Sequence, residues 1–466
     1  MTKPGDDAYS PERRTALVLS GVGTAGAYHA GVLRALHEAG VKLDVVAGRG
    51  VGAVGALFAA VDGAQRLWDA NGFWRAPAVP RLYEWRPLIR LAALAVCAAL
   101  LIVLAPLIAM AAGLIVFPID FLLKMVGVHG GGLTGRYLDF ANAMFAPSAL
   151  PTWLPRLAVL VLGIVAVVLA VDAWRGAGWR RARGRFWWHI LKPPVSTRPA
   201  VEHCWAVLWD LIRGAARVKQ PTPLDLGRRY VELLVDNLGQ PGFRELMIAA
   251  HDVDAHGDLV FALLGEARRR DLVRRPTRTE AEARRSGIVD LSGLGRDHLA
   301  DAVAGALSVP VLSEFHQIAF APESYWRGEV HRLCDRPACL LRLVEELAGI
   351  GVEQIILVSA APDAPRPHQL HRPALEGRGR VGEYLMSSEA AAVRDVLALK
   401  GEGRPKLYAI QPLHNPIGPF DFTGGYDDGS DRTQPLGELL NAGYEDAHHQ
   451  FVEPVLGASG EKVGAI

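Results

Sequence analysis

The sequence predicts an α/β fold with a long apolar insertion, and three observations carry that prediction. Leu17–Val61 reads as strand, glycine loop, helix, strand, sharp turn, helix. Leu91–Phe117 then runs without a charged residue. From Gly242 onward short apolar runs and amphipathic segments alternate again, so a second soluble part follows the insertion.

Residues 1–14 are polar and proline-containing with no apolar stretch, which predicts a disordered lead-in and not a signal peptide. Residues 15–80 form the first part of the core. Leu17–Ser20 is too short for a helix and stops at Gly21. Gly21, Gly23 and Gly26 open onto His29–Ala39, where Val32, Leu33 and Leu36 share a helical face, and Gly40 suits the C-cap. Asp44–Ala47 is a second strand. Gly48-Arg49-Gly50-Val51-Gly52 turns the chain into the helix Ala53–Val61. A parallel β-α-β unit ending in such a turn is the frame on which acyl hydrolases mount a nucleophile.

Two motifs, Gly21-Val22-Gly23-Thr24-Ala25-Gly26 and Asp44-Val45-Val46-Ala47-Gly48-Arg49-Gly50-Val51-Gly52, give this stretch its resemblance to the patatin-like phospholipases. That family's pattern is G-G-G-x-R/K-G after a strand, then D-x-x-x-G-x-S-x-G. The resemblance implies a three-layer α/β/α fold with a mainly parallel central sheet and a lipid acyl hydrolase site. Three positions depart from it. Val22 replaces the middle glycine, Ala25 stands at the usual Arg or Lys, and Gly50 stands at the serine nucleophile. Glycine accepts the strained turn readily but has no atom with which to attack an ester.

The formal charge of +1 at pH 7 gives no reason to expect nucleic acid as a partner. The four cysteines, Cys97, Cys204, Cys334 and Cys339, form no close metal-type pair, so no metal or cofactor is implied. Residues 81–215 read as a membrane insertion. Its apolar runs are 91–117 and 157–171; the first suffices for about 30 Å of hydrocarbon at about 1.5 Å per residue. Arginines precede the first run (Arg75, Arg81, Arg86, Arg90) and follow the second (Arg175, Arg180, Arg181, Arg183, Arg185). The intervening loop carries only Lys124, Arg136 and Arg156 as basic residues. That asymmetry predicts an integral membrane hairpin whose hydrolase-like domain faces the cytoplasm. Trp179, Phe186, Trp187 and Trp188 suit an interfacial belt. A buried soluble hairpin, a single span or a re-entrant first segment are the alternatives.

Residues 216–466 form the second part of the core. Phe243–Ala250 and Leu259–Leu263 read as a hairpin around His251-Asp252-Val253-Asp254-Ala255-His256-Gly257, whose histidines and aspartates also invite a metal reading. Arg268–Arg285 is a charged surface segment. Leu299–Pro310 resembles the family's helix ending in A-S-x-x-x-P. The catalytic aspartate follows an aromatic pair in the family, and Tyr325-Trp326 puts Arg327 there; Asp421 and Asp427-Asp428-Gly429 are the rival placement. A helix, Cys339–Leu347, and a strand, Gln354–Ser359, come next. The chain closes with a strand at Leu407–Ile410 and a helix over Pro435–Val455, capped by Ser430, Asp431 and Arg432.

These residues imply a site with no intact catalytic residue, its nucleophile position at Gly50 and its acid position at Arg327. Gly21, Val22, Gly23, Thr24, Gly26, Arg49 and Val51 remain as an oxyanion-type or anion-binding loop. The expected function is a membrane-anchored member of the family that has lost ester hydrolysis and binds membrane lipid, an anionic headgroup or a fatty acid. The alternatives are an acyl hydrolase with a displaced nucleophile, for which Ser20, Thr24, Ser308 and Ser313 are available, and a membrane scaffold. No protein partner is indicated.

Overall fold

The computed structural model describes residues 9–127, 132–145, 150–177, 193–274, 287–362, 377–399, 401, 404–427 and 432–457. These residues fall into two compact units, 1–84 with 195–466 and 85–194.

The larger unit is built on a nine-stranded sheet. Its strands are β1 (Thr15–Gly21), β2 (Val45–Gly50), β3 (Glu245–Asp252), β4 (Gly257–Leu263), β5 (Ile288–Asp290), β6 (His316–Ala319), β7 (Val330–Cys334), β8 (Gln354–Ser359) and β9 (Lys406–Ile410). The order is β9-β8-β1-β2-β3-β4-β5, and β9 through β3 run parallel. β3 and β4 form the expected antiparallel hairpin.

One detail of this sheet places the site. β4 borders β3 along its whole length, so β7 joins the other edge at His251 and Asp252, beyond the last β2 pairing at Ala249. β7 therefore takes up the edge that β2 leaves as it turns away at Gly50.

Strand alternation divides the core into two layers. Leu17, Leu19 and Val46 face α1 (Ala25–Glu38), α2 (Gly52–Ala59), α6 (Arg198–Arg213), α7 (Pro223–Asn237) and α8 (Leu299–Leu307). Ala16, Val18, Val45, Ala47, Ile355 and Leu357 face α9 (Cys339–Gly349) and α10 (Gly377–Leu397). A mainly parallel sheet covered on both faces is the predicted three-layer arrangement.

The smaller unit holds α3 (Pro87–Met125), α4 (Leu133–Phe145) and α5 (Leu150–Ala177), with α3 packed on both others. It is narrower than the predicted 81–215, because Cys204, Trp205 and Leu208 of α6 are buried in the main core. Both apolar helices outrun the predicted 91–117 and 157–171. Many large apolar side chains stand exposed, among them Leu91, Leu101, Leu114, Ile115, Val159 and Val167. By length and composition Leu107–Met125 can cross a membrane, whereas Ile89–Leu101 and Ala158–Val171 are shorter. Trp179, Phe186, Trp187 and Trp188 lie outside the described residues.

The C-terminal helix α11 (Leu436–Ala447) continues as a π-helical stretch, His448–Leu456, matching the predicted Pro435–Val455. Its predicted cap is corrected: Arg432 sits in a short strand, Pro435 precedes the helix, and Ser430 and Asp431 lie outside the described residues. α11 crosses α1 with the backbones in direct approach. A Cβ on Gly31 would meet the Leu440 carbonyl oxygen at 1.9 Å, and one on Gly443 the Tyr28 oxygen at 2.2 Å. Gly443→Ala is expected to cost about 1–3 kcal/mol in denaturant unfolding, as overpacking does. An unchanged midpoint would show that the two helices are not held this close.

Candidate functional site

Gly50 ends β2 with φ +56°, a left-handed conformation that an elbow turn imposes and glycine adopts without cost. The backbone geometry of a nucleophile elbow is thus present without the nucleophile. The surrounding chain also stands close. A Cβ on Gly50 would lie 2.1 Å from the Gly21 carbonyl oxygen. That oxygen accepts the Val51 amide at 2.9 Å, so the first amide after the elbow is already bonded within the protein.

The glycine loop is tied down in the same way. The Thr24 amide donates to the Pro419 carbonyl at 2.8 Å and its hydroxyl to the Gly418 carbonyl at 3.0 Å. A Cβ on Gly23 would strike the Pro419 oxygen, and one on Gly26 the Trp74 ring. Gly21, Val22, Thr24 and Ala25 line a cavity of about 20 Å³ with Leu385 and Glu389. That volume admits about one water.

The Arg327 placement is corrected: the carboxylate beside Gly50 is Asp335. Arg327 lies on the exposed turn between β6 and β7, its amide bonded to the Ser324 carbonyl. Asp335 follows the last residue of β7, where that strand has replaced β2 beside β3. Its Oδ2 lies 3.1 Å from the point a Gly50 Cβ would occupy. Its own amide is fixed by the Ser308 carbonyl at 2.7 Å. A carboxylate therefore stands beside the elbow, eight residues beyond Arg327.

Arg49 is the second correction. Strand alternation puts it on the same face as Val45 and Ala47, pointing beneath the sheet and not into a cleft. The register sets Ser359, Ser20 and Arg49 side by side on β8, β1 and β2. Arg49 is fully buried and grips Asp335 bidentately, Nε to Oδ1 at 3.0 Å and Nη2 to Oδ2 at 2.7 Å. Its Nη1 pairs with Glu389 of α10 and donates to Ser20 Oγ at 3.2 Å. With both carboxylates engaged, this guanidinium is not an anion site.

The cluster sets two carboxylates against one guanidinium. Burial pushes the Glu389 carboxyl up, Arg49 offsets part of that, and Asp335 adds like-charge repulsion. Burial likewise raises Asp335, although Arg49 and the Gly50 and Arg336 amides pull it back. His29, buried against the Ser20 carbonyl, is depressed to about 4 by burial and is neutral at pH 7.

Glu389 was invisible to sequence reasoning because it lies on a distant helix. It accepts the Ser20 hydroxyl at 2.5 Å. Ser20 is therefore a hydroxyl beside a carboxylate, but it sits within β1 with no solvent exposure and already accepts from Arg49. Ser308 and Ser313 bond to backbone carbonyls at 2.8 and 3.0 Å.

A larger cavity, about 810 Å³, opens beyond Leu385 and has Asp335 in its wall. The predicted metal candidates do not converge on it. His251 pairs with Asp258, Asp252 with His331, and Asp254 with Arg332. Among the described residues no group of three or more His, Cys, Asp or Glu is placed to hold a metal.

The raised carboxyls fix the sign of one pH effect. A carboxyl raised in the folded state contributes fully below its unfolded value, near pH 4, and that contribution fades as pH rises through the raised value. Glu389→Gln removes one of these charges. Wild type is therefore expected to lose stability relative to the variant as pH rises from about 4 to 8. A difference constant across that range in thermal unfolding contradicts the assignment.

Residues 17–335 match the family described as patatin-like phospholipase. No curated protein matches. The solved structure of VipD from Legionella pneumophila is similar at a TM-score of 0.33 and 14% identity, covering 97% of this chain and 68% of that one. The matched span runs from β1 to Asp335, takes in the Gly50 elbow, and exceeds half the sequence: the chain belongs to the patatin-like phospholipase family.

Proposed function

We propose that this protein is a membrane-anchored member of the family that has lost ester hydrolysis and binds lipid without cleaving it. One observation carries the reading: Gly50 occupies the elbow, and the Gly21 carbonyl fills the space that a nucleophile's Cβ needs. Loss of a nucleophile alone costs several orders of magnitude in rate. Here Asp335 is additionally held by Arg49 through both of its oxygens, which makes it a weaker base toward an incoming proton.

The lipid part of the proposal is supported by the 810 Å³ cavity, whose walls are mostly apolar. The anchor is supported by the exposed apolar side chains of α3 and α5 and by Leu107–Met125. The arginine-rich flanks and arginine-poor connection favour a cytoplasmic domain. A membrane scaffold remains compatible with the same features.

The second reading, an acyl hydrolase using Ser20, rests on the 2.5 Å contact to Glu389. A fluorophosphonate probe separates the two. The purified protein is expected to take up no label and to cleave p-nitrophenyl butyrate no faster than Ser20→Ala. Labelling that disappears in Ser20→Ala would establish the hydrolase instead.

Gly50→Ser tests the closed elbow directly. The variant is expected to recover less than about tenfold over wild type, and adding Arg327→Asp is expected to change nothing. Robust turnover from Gly50→Ser alone would show that the Gly21 carbonyl moves aside.

A further inference from the structure

We infer that the 810 Å³ cavity takes a long-chain fatty acid whose carboxylate is held by His251 and Arg336. The inference rests on the lipid-binding reading and adds the headgroup and its anchor.

Val311, Leu341, Val381, Tyr384, Leu385 and Ala392 supply apolar wall, and cavities of about 300–1,000 Å³ suit a ligand of single-chain size. Val311 is 78% exposed and Tyr384 71%, so the apolar lining continues to an open lip. Val311 also holds φ +68°, a conformation that β-branched residues rarely adopt. Such a lip suits entry of an acyl chain.

The polar wall is organised by one carboxylate outside the glycine site. Asp258 Oδ1 accepts His251 Nδ1 at 2.7 Å and the Cys339 thiol at 3.3 Å, and lies 3.8 Å from Arg336 Nη1. Both His251 and Arg336 line the cavity. Asp258 accepts from Nδ1, so in its imidazolium form His251 donates from Nε2 to a ligand carboxylate, and among the described residues no hydrogen bond to Nε2 is formed. Arg336 is 51% exposed in its side chain and among the described residues its side chain makes only the long contact to Asp258, which leaves its other donors for a ligand. Two donors steadied by one acid match the two oxygens of a carboxylate.

Other charges refine the placement. Asp335 lines the same cavity but is gripped by Arg49. Asp395 and Arg380 of α10 also line it; Asp395 disfavours a carboxylate beside its end of the helix, and Arg380 already has a partner, which favours the His251–Arg336 wall. Neither Arg49 nor Arg327, the cations the sequence singles out, takes part.

A diazirine-bearing palmitate analogue tests this on the full chain in phosphatidylcholine nanodiscs. Label is expected on the peptides around Leu341 and Val381–Ala392. Palmitate is expected to displace it about ten- to hundredfold better than methyl palmitate, the worth of hydrogen bonds to a charged group. Arg336→Gln and His251→Phe should each reduce that preference at unchanged melting temperature, whereas Arg336→Lys should keep most of it. Equal competition by acid and methyl ester, with label still in the cavity, overturns the headgroup anchor and leaves lipid binding standing. Absence of label from the cavity overturns both.

Discussion

Arg49 beneath the sheet is the interaction on which the rest of this structure depends. Its guanidinium joins the end of β2 to the end of β7 through Asp335 and to α10 through Glu389. Three segments distant in sequence thereby meet at one buried cation. Desolvating a guanidinium and two carboxylates is expensive, and only near-complete pairing offsets it. Here Nε, Nη1 and Nη2 all have partners, and Ser20 and Ser359 add hydroxyls to Glu389.

The consequence for chemistry is that the Asp335 carboxylate is committed to Arg49. In an active elbow the carboxylate's neighbour is a serine hydroxyl. Here the nearest groups are the Arg49 guanidinium and the Gly50 amide. The Gly21 carbonyl oxygen lies 2.1 Å from where a Cβ on Gly50 would stand and accepts the Val51 amide. The absent side chain at Gly50, the Arg49–Asp335 pair and the Gly21–Val51 hydrogen bond together support the proposed loss of hydrolysis, and none requires the fold to change.

Much of this was legible in sequence. Gln354–Ser359 forms its strand with the predicted bounds, and β1, β2 and the β3–β4 hairpin follow from apolar runs ended by glycine or polar turns. Gly50 was readable because an elbow's glycine spacing is local. Arg49 was misdirected, although Val45 and Ala47 carry the signal: three alternating residues share a face, and the first two are core. Asp335 was missed because Val330–Cys334, VHRLC, has too little apolar alternation to announce a strand. The aromatic pair Tyr325-Trp326 then drew the acid position onto a turn. Glu389 had no local signal at all, since its partner Arg49 lies 340 residues away.

The Arg49 cluster holds the floor beneath the Gly50 elbow, and unfolding energetics measure this most directly. Arg49→Leu strands two buried carboxylates and is expected to cost about 3–5 kcal/mol. Arg49→Leu combined with Asp335→Leu and Glu389→Leu removes the charges together and is expected to recover most of that loss. If Arg49→Leu instead unfolds within about 0.5 kcal/mol of wild type, the cluster does not organise the site and the account fails.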